Sequence, residues 1–270
     1  TTLTLSGRRL TADDRRVLRA FTDQLKVALE SRRLADAAAT ATALEEANNL
    51  RTALLAAVSH DLRTPLASIK TSVTSLLQGD VDWAPEATSQ FLTTIDQEAD
   101  RLNTLVGNLL DMSRLQTGAL NVLGRPVGLE EVVPAALAGL ADHGRSVQVD
   151  VPETLARVYA DPALLERAIA NVVANAVTWS PPDRPVRLTA SRAGDRIDLR
   201  VVDHGPGIPP AGRERVFQPF QRLGDAAGGT GVGLGLAVAR GFVQAMGGQI
   251  LLEDTPGGGL TMRINLAAAT

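Results

Sequence analysis

The 270-residue chain contains no cysteine, so disulfides and thiolate metal sites are excluded. That absence fits a reducing compartment. Aromatic residues make up only 3% of the chain, so its cores must be built from Leu, Val, Ile and Ala. Lys26 and Lys70 are the only lysines, and basic charge is otherwise carried by arginine. A net charge of −3 gives no general electrostatic pull towards nucleic acid or an acidic membrane, so no nucleic-acid partner is expected. No apolar run approaches the ~20 residues of a membrane span, and no signal peptide is recognisable. The first residue is Thr1, which leads us to expect a piece of a longer protein.

What is present begins with helical periodicity. Leu3, Leu5 and the pair Ser6-Gly7 read as a closing strand and turn of something upstream. From Thr11, an N-cap residue followed by Asp13 and Asp14, the pattern turns helical. Val17, Phe21, Leu25, Ala28 and Leu29 make one apolar stripe. The stripe thins to alanine-rich sequence over 35–47, a weak coiled-coil connector, and resumes with Leu50, Leu54, Val58 and Leu62. Gly79-Asp80 breaks the pattern, and Pro85 suits the first turn of a second helix reaching about 116, before Gly118. Two long amphipathic helices with a short loop form an antiparallel hairpin. Alone it cannot bury its apolar faces, so a dimeric four-helix bundle is expected.

After Gly118 the texture changes. Short β-like runs at 146–151, 187–192, 197–202, 249–253 and 260–266 alternate with helical ones at 129–140, 162–177 and 232–246. The expected fold class is multidomain, α followed by α/β. The expected domains are 1–35, 36–118 and 119–270.

Three constellations carry chemistry. The first is Ser59-His60-Asp61-Leu62-Arg63-Thr64-Pro65. An imidazole with an ordinary pKa of ~6.5 is mostly neutral at pH 7 and keeps one nitrogen lone pair for attack on phosphorus. Asp61 is adjacent, but i and i+1 side chains do not face each other on a helix, so it needs a particular rotamer to hold the ring. Pro65 deprives the carbonyl of residue 61 of its helical donor, which predicts a bend after His60. Thr64 lies one turn on and could position a water.

The second is a polar stripe, Arg167, Asn171, Asn175 and Thr178, opposite the apolar Leu165, Ile169, Val172 and Ala176. An asparagine carbonyl is an acceptable Mg²⁺ ligand beside phosphates and waters, although such a stripe also suits a solvated face. The third comprises two glycine runs. In Asp203-His204-Gly205-Pro206-Gly207-Ile208, period two puts Asp203 on the face of Ile197, Leu199 and Val201. A carboxylate there requires donors, such as the amine of adenine, or else curls out into the turn. Gly205 and Gly207 permit close backbone approach. The run Gly229-Thr230-Gly231-Val232-Gly233-Leu234-Gly235 opens a helix, where free N–H groups suit phosphate. Its spacing matches neither the P-loop nor the dinucleotide fingerprint. Between the two runs, Phe217 and Phe220 suggest a connector that packs down over bound nucleotide.

Residues 50–267 resemble the transmitter of bacterial two-component sensor histidine kinases. Five family boxes occur in order: 59–65, 171–176, 203–208, 217–220 and 231–236. The resemblance implies a dimerisation and phosphotransfer hairpin followed by a Bergerat-type α/β sandwich. It implies that His60 is the phosphoacceptor, with Asp61 assisting and Thr64 serving a regulator phosphatase. Asn171, Asn175, Asp203, Gly205, Gly207, Ile208, Phe217, Phe220, Arg222, Gly231, Gly233, Leu234 and Gly235 would bind ATP, with Mg²⁺ at Asn175. The implied partners are a second copy of the chain and the receiver domain of a response regulator. Residues 51–65, 203–225 and 253–261 further resemble potassium-responsive Kdp-type kinases. By that likeness, 1–35 close a GAF-like domain. Membrane contact would come only through upstream segments, with this part facing the cytoplasm. One departure stands out: Thr178 and Trp179 occupy places where the family often has Lys or Arg and then an aromatic. Arg222 could compensate. Two other readings are a weak nucleotide-binding module acting mainly as a phosphatase and a Bergerat-type ATPase outside signalling.

Overall fold

The computed structural model describes residues 11–78, 80–138, 147–221 and 233–269, the side chains of 35–57 excepted. The strand expected before Thr11 lies outside these residues. The chain divides into two compact units at Ala56/Ala57. The first helix, α1 (Ala12–Leu76), belongs to both.

In the first unit, Thr11 and Asp14 cap the helix reciprocally. The Asp14 amide donates to Thr11 Oγ1 at 3.2 Å, and the Thr11 amide to Asp14 Oδ2 at 3.0 Å. Val17, Phe21 and Leu29 stay exposed within the single chain.

In the second unit, α1 continues through Pro65 and pairs with α2 (Pro85–Gln116). Trp83 closes the hairpin turn. Its Nε1 donates to the Ser75 carbonyl at 2.9 Å, and its ring meets Phe91 edge-on at 5.1 Å. Gly118, at φ +65°, ends α2, and the Ala119 amide donates to the Arg114 carbonyl at 3.1 Å. This is a left-handed C-terminal cap that only glycine adopts readily.

The α/β part follows as β1 (Arg125–Val127), α3 (Leu129–Ala138), β2 (Val147–Asp150), β3 (Val158–Ala160), α4 (Pro162–Trp179), β4 (Val186–Ala193), β5 (Arg196–Val202), α5 (Gly235–Ala245), β6 (Gln249–Asp254) and β7 (Leu260–Ala267). Five strands form one sheet in the order β2-β4-β5-β7-β6, parallel only between β2 and β4. Leu188, Leu199, Val201, Met262 and Ile264 share a core with Leu165, Ile169, Val172 and Phe242 of the helices. The other face of the sheet is polar. Asp198 there accepts from Asn265 at 2.6 Å and from Arg263 at 3.3 Å. A Bergerat-type sandwich results, as expected.

Two elements were not legible in the sequence. β1 and β3 pair antiparallel as a separate two-stranded sheet. Each has three residues, too few to display an alternation. The start of α4 is fixed by Asp161, whose Oδ1 accepts from the amides of Ala163 and Leu164 at 3.0 and 3.2 Å. Its Oδ2 accepts from the Leu123 amide at 2.8 Å, tying the inter-domain segment to α4. Asp161-Pro162 is a readable start signal, but its partner 38 residues away is not.

Candidate functional site

His60 lies on α1 with its side chain 79% exposed. Its Nδ1 sits 3.0 Å from Asp61 Oδ1. The rotamer that sequence reasoning required of Asp61 is therefore the one adopted. A carboxylate accepts only, so this contact makes Nδ1 the protonated nitrogen and leaves the lone pair on Nε2, facing solvent. Thr64 Oγ1 donates to the His60 carbonyl at 3.4 Å, so its hydroxyl bonds back along the helix.

Asp203, just beyond β5, is 2% exposed, on the core face that period two assigned to it. Its donors are not left to a ligand alone. Oδ1 accepts from the amides of Gly205 at 2.8 Å and Leu260 at 2.9 Å. Among the described residues Oδ2 receives no hydrogen bond and remains available. Burial pushes the Asp203 carboxyl above the ordinary carboxylate range, against the pull of those two amides and of His204.

The glycines around it are needed by the protein's own backbone. A Cβ on Gly205 would come within 2.7 Å of the Trp179 carbonyl. One on Gly259 would lie 2.1 Å from the Asp203 carbonyl, and Gly259 has φ +116°. The β6–β7 turn thus closes directly on the Asp203 segment, an approach the sequence showed only as Gly257-Gly258-Gly259. Gly207 (φ +72°) faces the Gly259 carbonyl, and Ile208 packs at the core edge. Ser180, unforeseen, is 5% exposed and accepts from the His204 amide at 3.3 Å.

Asn171 and Asn175 are half-buried on one stripe of α4. A Cβ on Gly235 would stand 3.1 Å from Asn171 Oδ1, so the start of α5 abuts that amide. α5 has no side-chain cap, in contrast with α4. An uncapped helix start of this kind is chemically suited to an anion. Among the described residues no cluster of three His, Cys, Asp or Glu could hold a metal ion. Thr178 is exposed and its Oγ1 donates to the Ala174 carbonyl at 2.8 Å, so the hydroxyl is already committed.

Phe217 is 8% exposed within the core, and the Arg240 guanidinium lies 4.9 Å above its ring. It is a core residue at the foot of the connector. Phe220, at φ +65°, donates its amide to the Gly233 carbonyl at 3.0 Å. The stretches on either side of 222–232 therefore meet. Arg222 and Gly231 lie outside the described residues. The side chain of Leu234, which the sequence places at the nucleotide, lines an apolar gap with Val58, Leu62, Leu105, Val106 and Leu109 of the hairpin. Arg167, on the same stripe of α4, pairs with Asp111 of α2, a contact no sequence signal announced.

Comparison with known proteins defines the class first. Residues 50–118 match the family "His Kinase A (phospho-acceptor) domain". Residues 160–270 match "Histidine kinase-, DNA gyrase B-, and HSP90-like ATPase". The chain belongs to the sensor histidine kinases. Within that family it is similar to Sensor protein KdpD of Mycobacterium tuberculosis (strain CDC 1551 / Oshkosh), with 48% identity over 98% of this chain and 31% of that protein. The chain thus spans less than a third of the relative's length. Among solved structures, full-length ShkA in complex with AMPPNP is 29% identical with a TM-score of 0.56, over 80% of this chain and 46% of that one. Histidine kinase ThkA, solved with the response regulator protein TrrA, shares the fold at 21% identity and a TM-score of 0.59, over 80% of this chain and 61% of that one.

Proposed function

We propose that this chain is the transmitter of a sensor histidine kinase, in which ATP phosphorylates His60 and the phosphoryl group passes to an aspartate of a response regulator. The observation that carries this is the His60–Asp61 pair, which leaves Nε2 as a solvent-facing nucleophile. Nε2 attacks the γ-phosphorus, the bond to the ADP oxygen breaks, and ADP leaves. The positive charge that develops on the ring is stabilised by Asp61, which can take the Nδ1 proton. An aspartate carboxylate of the regulator then attacks phosphorus, and His60 is restored as the N–P bond breaks. The exposure of His60 suits such a visitor. That ThkA was solved with a response regulator and ShkA with AMPPNP supports both partners.

In this reading Asp203 Oδ2 accepts from the adenine amine, and Ile208, Gly205 and Gly207 border the base. The first turn of α5, with Gly231, Gly233 and Gly235, receives the phosphates. Phe217, Phe220 and Leu234 shape the connector, and Arg222 supplies the cation that Thr178 does not. Asn175, helped by Asn171, would hold Mg²⁺, which supplies charge neutralisation to the phosphates. Thr64 would assist regulator dephosphorylation. The domains run 1–35, 36–118 and 119–270, the exposed hairpin faces pair with a second copy, and the likeness to KdpD favours potassium or osmotic stress as the stimulus. The whole protein would lie in the cell membrane with this part in the cytoplasm; no described helix is long and apolar enough to cross one. These relatives do not favour a mainly phosphatase module.

The test is incubation with γ-labelled ATP and Mg²⁺. Acid-labile, alkali-stable label on the unaltered chain, lost in His60→Gln and Asn175→Ala, is the expected result. ATP binding without label would overturn the autokinase reading.

A further inference from the structure

The two ends of the glycine run 203–208 are held by different means. Its near end is fixed by backbone. The Asp203 amide donates to the Leu260 carbonyl at 2.9 Å, and the Leu260 amide donates back to Asp203 Oδ1 at 2.9 Å. At the far end, around Ile208, amides are scarce. Pro206, Pro209 and Pro210 have no N–H to donate. That end is tied down by the side chain of Arg213.

Pro209 and Pro210 lead into a 3₁₀ turn, Pro210–Gly212. The Gly212 amide donates to the Pro209 carbonyl at 2.8 Å, and the Arg213 amide to the Pro210 carbonyl at 3.3 Å. The turn returns the Arg213 side chain to Ile208. Its Nε donates to the Ile208 carbonyl at 3.4 Å, Nη1 to the Leu252 carbonyl at 3.5 Å and Nη2 to Asp254 Oδ1 at 2.5 Å. Each nitrogen of one planar fork has its own acceptor, an arrangement the single ammonium of a lysine cannot reproduce.

Alone, the Asp254 pair would be a surface ion pair of small consequence, since Asp254 is 74% exposed. The two carbonyls set Arg213 apart. One belongs to the glycine run, and the other to β6, the edge strand of the sheet. β6 leads straight into the turn whose Gly259 closes on the Asp203 carbonyl. Arg213 therefore joins both backbone segments that frame Asp203.

We propose that Arg213 is a positioning residue for adenine selectivity. Without contacting the nucleotide, it fixes Ile208 against β6, so that the base lies in register with Asp203 Oδ2. Small displacements suffice, because a hydrogen bond weakens steeply as its angle departs from linear. This role rests on the reading in which Asp203 accepts from the adenine amine.

The test compares, by calorimetry, ATP with purine riboside triphosphate, which lacks the exocyclic amine. The unaltered chain should prefer ATP about tenfold or more, the scale of a hydrogen bond to a charged acceptor. Arg213→Met keeps an unbranched side chain and removes the fork. Its ATP affinity should fall about tenfold, that for the analogue far less, and the preference should collapse towards one. A merely structural role would weaken both ligands by the same factor, and an unchanged ratio would overturn the proposal while leaving the adenine reading intact. Equal binding of the two ligands by the unaltered chain would sink the adenine reading and the role of Arg213 with it. Should Arg213→Met fail to fold, Asp254→Ala, at an exposed site, decides by the same ratio: a reduced preference supports the fork, and a retained one overturns it.

Discussion

Oδ1 of Asp203 accepts the amide of Leu260 at 2.9 Å, joining the end of β5 to the start of β7 across 57 residues. The same oxygen serves Gly205, and under the proposed reading the other would take the adenine amine. Asp203→Asn should separate the two roles. The asparagine carbonyl can keep both amides, while its NH₂ opposes the adenine amine, donor against donor. ATP affinity should fall about a hundredfold or more, as for buried polar mismatches. Calorimetry would measure the loss, and the melting temperature should barely move.

Acid should act on the same residue. Burial holds the Asp203 carboxyl above its ordinary value of 3.8, so it takes up a proton at a pH where exposed aspartates are still charged. The folded state binds that proton before the unfolded state does. This group's contribution to stability is therefore full below 3.8 and is lost as pH rises through the raised value. Its contribution to nucleotide binding runs the other way, because the protonated form is a poorer acceptor. ATP titrations on descending pH should weaken above 3.8, before this group gives the fold any reason to open.

Thr178 offers a gain of function. It is exposed, three residues beyond Asn175, and its hydroxyl is bonded to the Ala174 carbonyl. Thr178→Lys would place a cation on the asparagine stripe. ATP should bind about fivefold more tightly at low salt, and the gain should shrink as salt screens it. Unchanged affinity would mean that the phosphate contacts are complete without a cation there.

Asp61→Asn should preserve ATP affinity and slow the labelling of His60 by about 10²-fold, the scale of a lost acid–base partner. The pair is direct, 3.0 Å between Nδ1 and Oδ1, so an amide there can no longer take the ring proton. Rapid-quench measurement of phosphohistidine checks it.

Asp161→Ala should destabilise the ATP-binding domain by about 2 kcal/mol, the upper range for an N-cap, because three amides lose their acceptor at once. Denaturant unfolding would report it as a lower midpoint.

Much of the molecule was legible because its signals are local. The periodicity of Leu and Val gave both hairpin helices, Gly118 gave the end of α2, and alternation along Ile197, Leu199, Val201 and Asp203 placed the carboxylate on the core face. Motif order gave the family. The three-residue strands β1 and β3 carry too little pattern to see. The contacts of Arg167 with Asp111 and of Leu234 with the hairpin were hidden for another reason. Helical spacing fixes the side of a helix a residue occupies and says nothing of what approaches that side.

By itself, then, the sequence determined most of the helices and strands of the described residues, and it marked His60 as the candidate phosphoacceptor and particular asparagines and glycines as candidates for a nucleotide site. Those properties follow from backbone preference, periodicity and the chemistry of single side chains. The tertiary structure decided that Asp61 turns to His60, that Leu260 and Gly259 close on Asp203, and that Asp111 seizes Arg167 from 56 residues away. Each depends on rotamers and packing between distant segments, where buried charge and close backbone approach are resolved only once the whole core has formed.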